Sequence, residues 1–162
     1  MAGWTRRGVL VLGAGWLLAG CSNIYAPSTA TAPTAVTPER MLAEINAIRR
    51  GNGKGPLVFN PVLEQAARNQ ARMMADRDAL SHNFGPGLAL RDRVTAVGYH
   101  GPVGENVAGG QRTLEGALSG WMASQGHRAT LLNDMWGSVG MAVVQGRPGS
   151  RYGVYWAAIF GS

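Results

Sequence analysis

Few side chains in this sequence have the chemistry for proton transfer or metal ligation. The 162-residue chain has three histidines, His82, His100 and His127, and one cysteine, Cys21. No two histidines stand at a helical ligand spacing such as His-x-x-x-His. A lone cysteine makes neither an intramolecular disulfide nor a cysteine-based zinc site. His82 lies in Ser81-His82-Asn83-Phe84 and His127 in Ser124-Gln125-Gly126-His127-Arg128. Each follows a helical pattern, so both are expected at helix-to-loop junctions, where a rigid support presents a side chain to solvent. Between them, Gly104-Glu105-Asn106 places a single carboxylate in a glycine-rich stretch that reads as a loop. Glu105 can serve there as a ligand, a general base or a hydrogen-bond acceptor. His100, in Tyr99-His100-Gly101, reads as an exposed loop residue.

The elements that must position these residues follow from caps and periodicity. Thr37-Pro38-Glu39 is a cap-plus-proline start, and Met41, Leu42, Ile45 and Ile48 mark one face of the helix it opens. Residues 51–55 break that helix, and Leu57-Val58-Phe59 is a short apolar stretch. Asn60-Pro61 repeats the start signal and opens the longest helix, to about Leu80, with Leu63, Ala67, Gln70 and Met74 at helical spacing. A shorter helix is predicted over 88–97, stopped by Gly98. Thr113 caps a fourth through about Ser124, with Leu114, Leu118 and Trp121 toward the core. Gly116, Gly120 and Ser124 form a second stripe on it. Since an interior glycine costs ~1 kcal/mol, the stripe suggests a close neighbour or the floor of a groove. Residues 139–144 and 152–160 read as strands around a turn at 146–150. Helices first and an antiparallel pair last make the class α+β, helices against a small sheet. Trp121, Trp156, Met73 and Met74 read as core, and Arg49, Arg50, Arg68, Arg72 and Arg77 as solvated helix faces.

Composition bounds the rest. With 46% hydrophobic and 15% charged residues, the chain is one domain's worth of foldable sequence and not a disordered one. Its net charge of +6 and pI of 10.4 would suggest nucleic acid in a cytoplasmic protein. The N-terminus points elsewhere. A basic start with Arg6-Arg7, an uncharged apolar run over 8–18 and Leu18-Ala19-Gly20-Cys21 together resemble a bacterial lipobox. The apolar run is too short for a bilayer span, which needs ~20 residues. Thr5-Arg6-Arg7-Gly8-Val9-Leu10 also resembles a twin-arginine export signal. The expected organisation is a signal peptide at 1–20, a lipidated Cys21 with a Ser/Thr/Ala/Pro-rich tether to residue 37, and a domain at 38–162. Loss of Arg6 and Arg7 lowers the net charge to +4. Such a protein meets anionic lipid and wall polymer, with no nucleic-acid partner. Ser22 after the cysteine lacks an inner-membrane retention aspartate, so the expected place is the outer membrane, facing the periplasm, in a cell with two membranes.

From Ile45-Asn46-Ala47-Ile48-Arg49 onward the sequence resembles a bacterial member of the CAP superfamily, the SCP-like extracellular domains. Gly53 and Leu57, Asn60-Pro61-Val62-Leu63-Glu64-Gln65-Ala66-Ala67, Met74 and Ser81-His82-Asn83 carry the likeness first. Arg91, Gly98-Tyr99 and Gly104-Glu105-Asn106-Val107-Ala108 follow. The block from Trp121 through Ser124-Gln125-Gly126-His127-Arg128 to Leu132, then Val139-Gly140 and Trp156, completes it. The resemblance implies a three-layer α-β-α sandwich with a central antiparallel sheet. It also implies a cleft of two histidines and two acids, where some members bind a divalent metal such as zinc. Three of the four positions fall on His82, Glu105 and His127; the fourth, an acid in the family, is Ser124 here. A hydroxyl neither neutralises a cation nor acts as a base near neutral pH.

Three functions compete. The first is a non-enzymatic, monomeric, lipid-anchored module whose cleft, with Ser124 among its residues, holds a lipid, glycan, peptide or metal ion. The second is a structural role in the envelope, with His82, Glu105 and His127 tying loops together. The third is a metal-dependent hydrolase with a His82, His127 and Glu105 zinc set. A Ser124/His127/Glu105 hydrolase is a thinner variant, with no nucleophile elbow and no oxyanion donor. The expected order is binding, then structure, then catalysis.

Overall fold

The computed structural model describes Met1 and residues 36–162. Cys21, the apolar run before it and residues 22–35 of the tether lie outside the described residues. Helix α1 (Pro38–Gly51) starts as its sequence dictates, with the Thr37 hydroxyl accepting from the Arg40 N–H. Helix α2 (Pro61–Arg77) starts on Asn60, whose side-chain oxygen accepts from the N–H groups of Val62 and Leu63. It stops short of the expected Leu80 because Asp78 turns into the left-handed region at φ 48°. The Asp78 carboxylate accepts from the Arg151 N–H and the Tyr155 hydroxyl, so a distant hairpin decides where this helix ends.

The remaining elements are β1 (Val58–Phe59), α3 (Leu90–Ala96), β2 (Val103–Gly109), α4 (Leu114–Ala123), α5 (Gln125–Leu131), β3 (Ser138–Gln145) and β4 (Val154–Gly161). Two of them correct the sequence reading. The stretch read as a loop around Glu105 is strand β2, seven residues paired antiparallel with β4. Its glycines and polar residues hide the alternation that the register with β4 imposes. The helix through Ser124 is followed directly by a second short helix, so His127 lies inside α5 and not in a loop after α4.

The sheet order is β1-β3-β4-β2, with β1 parallel to β3 and the other pairs antiparallel. Strand alternation divides β4 between two cores. Trp156, Ala158 and Phe160 pack with Met41 and Ile45 of α1, Leu118 and Trp121 of α4 and Leu131 of α5. Tyr155, Ala157 and Ile159 pack with Leu63, Ala67 and Met74 of α2 and Val94 of α3. Helices therefore cover both faces of a central sheet, a three-layer α-β-α sandwich. Full burial of a side chain such as Ile159 or Phe160 contributes roughly 1.5–3 kcal/mol.

Two further expectations change. Arg49 is buried, at 1% exposure, because it stands on the Met41–Ile45 face of α1, one turn on. Its guanidinium donates to the carbonyls of Gly55 (2.8 Å), Leu131 (2.8 Å) and Asn133 (3.1 Å), and burial lowers its pKa. Of the two readings of the α4 stripe, Gly116 fits a close neighbour. Gly116 lies under Gln111 and Thr113 of the preceding turn, and Gly120 is exposed.

Helix α2 crosses the sheet so closely at Gly140 that a Cβ there would lie 1.9 Å from the Glu64 nitrogen and 2.3 Å from the Leu63 carbonyl carbon. Those atoms are backbone and cannot rotate away. Gly140→Ala is expected to cost at least about 3 kcal/mol, the upper range for overpacking. Equilibrium urea denaturation measures it, and an unchanged midpoint would show that α2 can lift off the sheet at little cost.

Candidate functional site

β2 is an edge strand, and successive residues on it point to opposite faces. Glu105 turns toward the α2/α3 layer and Asn106 toward the α4/α5 layer. Each holds one of the two candidate histidines. The Glu105 carboxylate meets His82 Nδ1 at 2.8 Å, and the Asn106 side-chain amide donates to the His127 carbonyl at 2.9 Å. Side chains from both layers thus meet at the sheet edge, with the two imidazole centroids 6.3 Å apart.

Behind this pair lies a buried charge. The Glu105 side chain is 1% exposed and is paired with Arg93, itself 4% exposed. Arg93 also donates to the carbonyls of His82 (2.9 Å) and Leu88 (2.8 Å). Gln70 of α2 donates to the Ser81 carbonyl at 2.6 Å. The loop that carries His82 is therefore pinned at three carbonyls by side chains of α2 and α3. Burying two charges is costly, and the cost is offset only where hydrogen bonds use up their capacity. Both Glu105 oxygens are engaged, one by Arg93 and one by His82.

The two imidazoles differ electrostatically. The hydrogen bond to Glu105 raises the His82 pKa above the ordinary imidazole value of 6.5, against partial burial. Burial, and then the nearby His82, lower that of His127. With Nδ1 held by the carboxylate, His82 keeps Nε2 for a ligand, in a side chain that is 55% exposed. Ser124 joins α4 to α5, and its hydroxyl caps neither helix. His100 is exposed, and Arg91 ties only the nearby carbonyls of His100 and Gly101.

The family model for "CAP: Cysteine-rich secretory protein family" matches residues 42–160. The chain belongs to the CAP family. It is 31% identical over 121 residues to the uncharacterized protein YkwD of Bacillus subtilis, a match covering 73% of this chain and 47% of that protein. The chain thus spans about half the length of that curated relative. An extracellular SCP-domain protein of Bacillus anthracis superposes with TM-score 0.65 at 25% identity, over 78% of this chain and 44% of that one. An outer surface protein of Borrelia burgdorferi shares the fold, with TM-score 0.67 at 19% identity, over 76% of this chain and 90% of that one.

Two residues of this CAP-domain site went unread in the sequence. Arg93 looks like any helix arginine, and only its place beside the core residue Val94 hints at burial. Asn106 is fully buried, yet its glycine-rich surroundings resemble a turn. As a metal cage the residues fall short. Glu105 supports His82 from behind, and among the described residues no three His, Cys, Asp or Glu side chains form a group that could hold a metal ion.

Arg93→Ala leaves the Glu105 carboxylate buried without its cation, and is expected to destabilise the fold by about 3–5 kcal/mol in urea denaturation. In an NMR titration His82 should titrate above the ordinary imidazole value and His127 below it. Glu105→Gln should return His82 toward that value. The stability that His82 adds is complete below the ordinary value and is lost as pH rises through its raised pKa. A His82 shift that survives Glu105→Gln would assign it to another cause.

Proposed function

We propose that this chain is an envelope lipoprotein, held through Cys21, whose CAP domain is a non-enzymatic, monomeric binding module. Its ligand site is the cleft between His82 and His127 at the β2 edge. One observation carries this reading. Two partly accessible imidazoles face each other over an edge strand, one biased toward its charged form and the other toward neutral. Between the two pKa values the pair offers one cationic donor and one neutral nitrogen. That chemistry suits a carboxylate or hydroxyl on a glycan, peptide or lipid headgroup. The location draws support from relatives described as an extracellular protein and an outer surface protein.

Zinc is the cofactor that family resemblance implies. The described residues do not complete a protein site for it: His82 through Nε2 and His127 supply two nitrogens, and Glu105 stands behind His82 as the acceptor that orients the ring. Glu105, the carboxylate in contact with these imidazoles, is engaged by Arg93 and His82, which ranks hydrolysis last. The tethering reading ranks second, because Glu105 spends both oxygens on its neighbours.

Native and intact mass spectrometry of the protein purified from its own envelope tests the proposal. The expected result is acyl mass on Cys21 and a co-purifying ligand or metal that disappears in the His82→Ala/His127→Ala double variant. A wild-type protein that carries nothing beyond its acyl chains, in envelope extracts at pH near the ordinary imidazole value, would leave the tethering role as the better account.

A further inference from the structure

Strand β3 runs for eight residues, and β4 pairs with all of them. On its other side, β1 pairs only with Ser138 and Val139. The Val58 N–H donates to the Gly137 carbonyl and the Asn60 N–H to that of Val139, each at 3.0 Å, and Pro61 then turns the chain into α2. Backbone groups alternate sides along a strand, so Met141, Val143 and Gln145 turn theirs to the edge that β1 has left. None of these groups meets a hydrogen-bond partner on that side among the described residues.

Sheet edges are commonly kept from pairing by charges, prolines or bulges. Met141-Ala142-Val143-Val144-Gln145 has no charge and no proline, and its register with β4 runs without a bulge. Exposure rises along this edge, from buried Met141 through half-buried Val143 to exposed Gln145. A groove of about 160 Å³ lies beside it, lined by Pro38 and Met41 of α1, by Glu64 and Arg68 of α2, and by Met141 to Val143. Met41 shares a core with Met141, and Leu63 of α2 shares the other core with Ala142, so the two helices flank the edge from opposite faces of the sheet.

We propose that this edge takes up an extended, uncharged peptide segment of a partner protein as a fifth strand of the sheet. Outward N–H and C=O groups recur at every second residue, about 7 Å apart, and an extended backbone matches that spacing group for group. A second copy presenting the same edge would bring its own α1 and α2 against these helices, whereas a lone segment brings only side chains. Glu64 and Arg68 pair with each other and β3 has no charge, so the groove demands none of its occupant. Side chains of the added strand alternate between the apolar wall of Pro38 and Met41 and the polar wall of Glu64 and Arg68. The His82–His127 cleft lies at β2, the opposite edge of the sheet, and the proposal does not depend on it.

The test uses the chain from Ser22 onward, which keeps every described element, and a short end-blocked peptide of alternating threonine and valine. Amide exchange followed by NMR reads Val143 and Gln145 directly. Both should exchange fast in the protein alone and slow several-fold with millimolar peptide, while amides paired to β4 keep their rates. The same peptide N-methylated at every residue has no backbone donors and should protect neither. Val143→Pro removes one edge N–H and no bond to β4, and should abolish protection of Gln145. Gln145→Pro, at the exposed end of the strand, asks the same of Val143 with less demand on folding. Four results overturn the proposal. They are protection in the protein alone, which means that this chain or a second copy already covers the edge; no protection by millimolar peptide; equal protection by the N-methylated peptide; and undiminished protection in both proline variants.

Discussion

Every residue of β4 from Val154 to Gly161 is buried, on both faces of the sheet at once. A strand in that position cannot be half polar, and it cannot be stabilised by a single layer of helices. Burial of Trp156, Ala158 and Phe160 requires α1, α4 and α5; burial of Tyr155, Ala157 and Ile159 requires α2 and α3. The close crossing of α2 at Gly140 and the order of the sheet both serve this two-sided enclosure. The constraint also explains why β2 must carry the polar work. It is the edge strand next to β4, where side chains of both layers can reach around the sheet.

Polar chemistry at that edge depends on one alternation. Because Glu105 and Asn106 are neighbours on a strand, they serve opposite layers, and one histidine is brought from each. Arg93 neutralises the buried carboxylate and gathers the His82 loop with the same guanidinium. Both carboxylate oxygens are engaged, and the side of Glu105 turned toward the edge acts through the orientation and charge of His82. At the β2 edge the two imidazoles are biased in opposite directions, and the carboxylate in contact with them, Glu105, is already engaged.

Cys21 is the only cysteine, so no disulfide closes the loops of this CAP domain. Three polar clamps span long sequence distances instead. Arg49 ties α1 to the carbonyls after α5, Asp78 ties the end of α2 to the β3–β4 hairpin, and Arg93 ties α3 to the His82 loop and to β2. Each satisfies backbone or carboxylate groups that helix ends and loops leave over. Such groups are expensive to bury unpaired. The clamps therefore fix where elements end, and packing in the two cores supplies the bulk of the stability.

The sequence by itself determined the helix starts at Thr37, Asn60 and Thr113, because a cap is a local event between a side chain and the next few N–H groups. It determined the β3–β4 hairpin and the tryptophan core in the same way, from apolar runs around a turn. His82, Glu105 and His127 were legible as chemistry-bearing residues through their types and motif order. Only tertiary structure decided their roles. Strand β2 exists because β4 offers it a register, a contact about fifty residues away that no local pattern of glycines and polar residues can announce. Arg49 follows Met41 and Ile45 on the buried face of α1, but only the distant carbonyls of Leu131 and Asn133 let a guanidinium stay there, and Arg93 is met by the carboxylate of Glu105. Local physics sets where elements begin; long-range pairing sets where they end, what their polar residues face, and which two imidazoles meet.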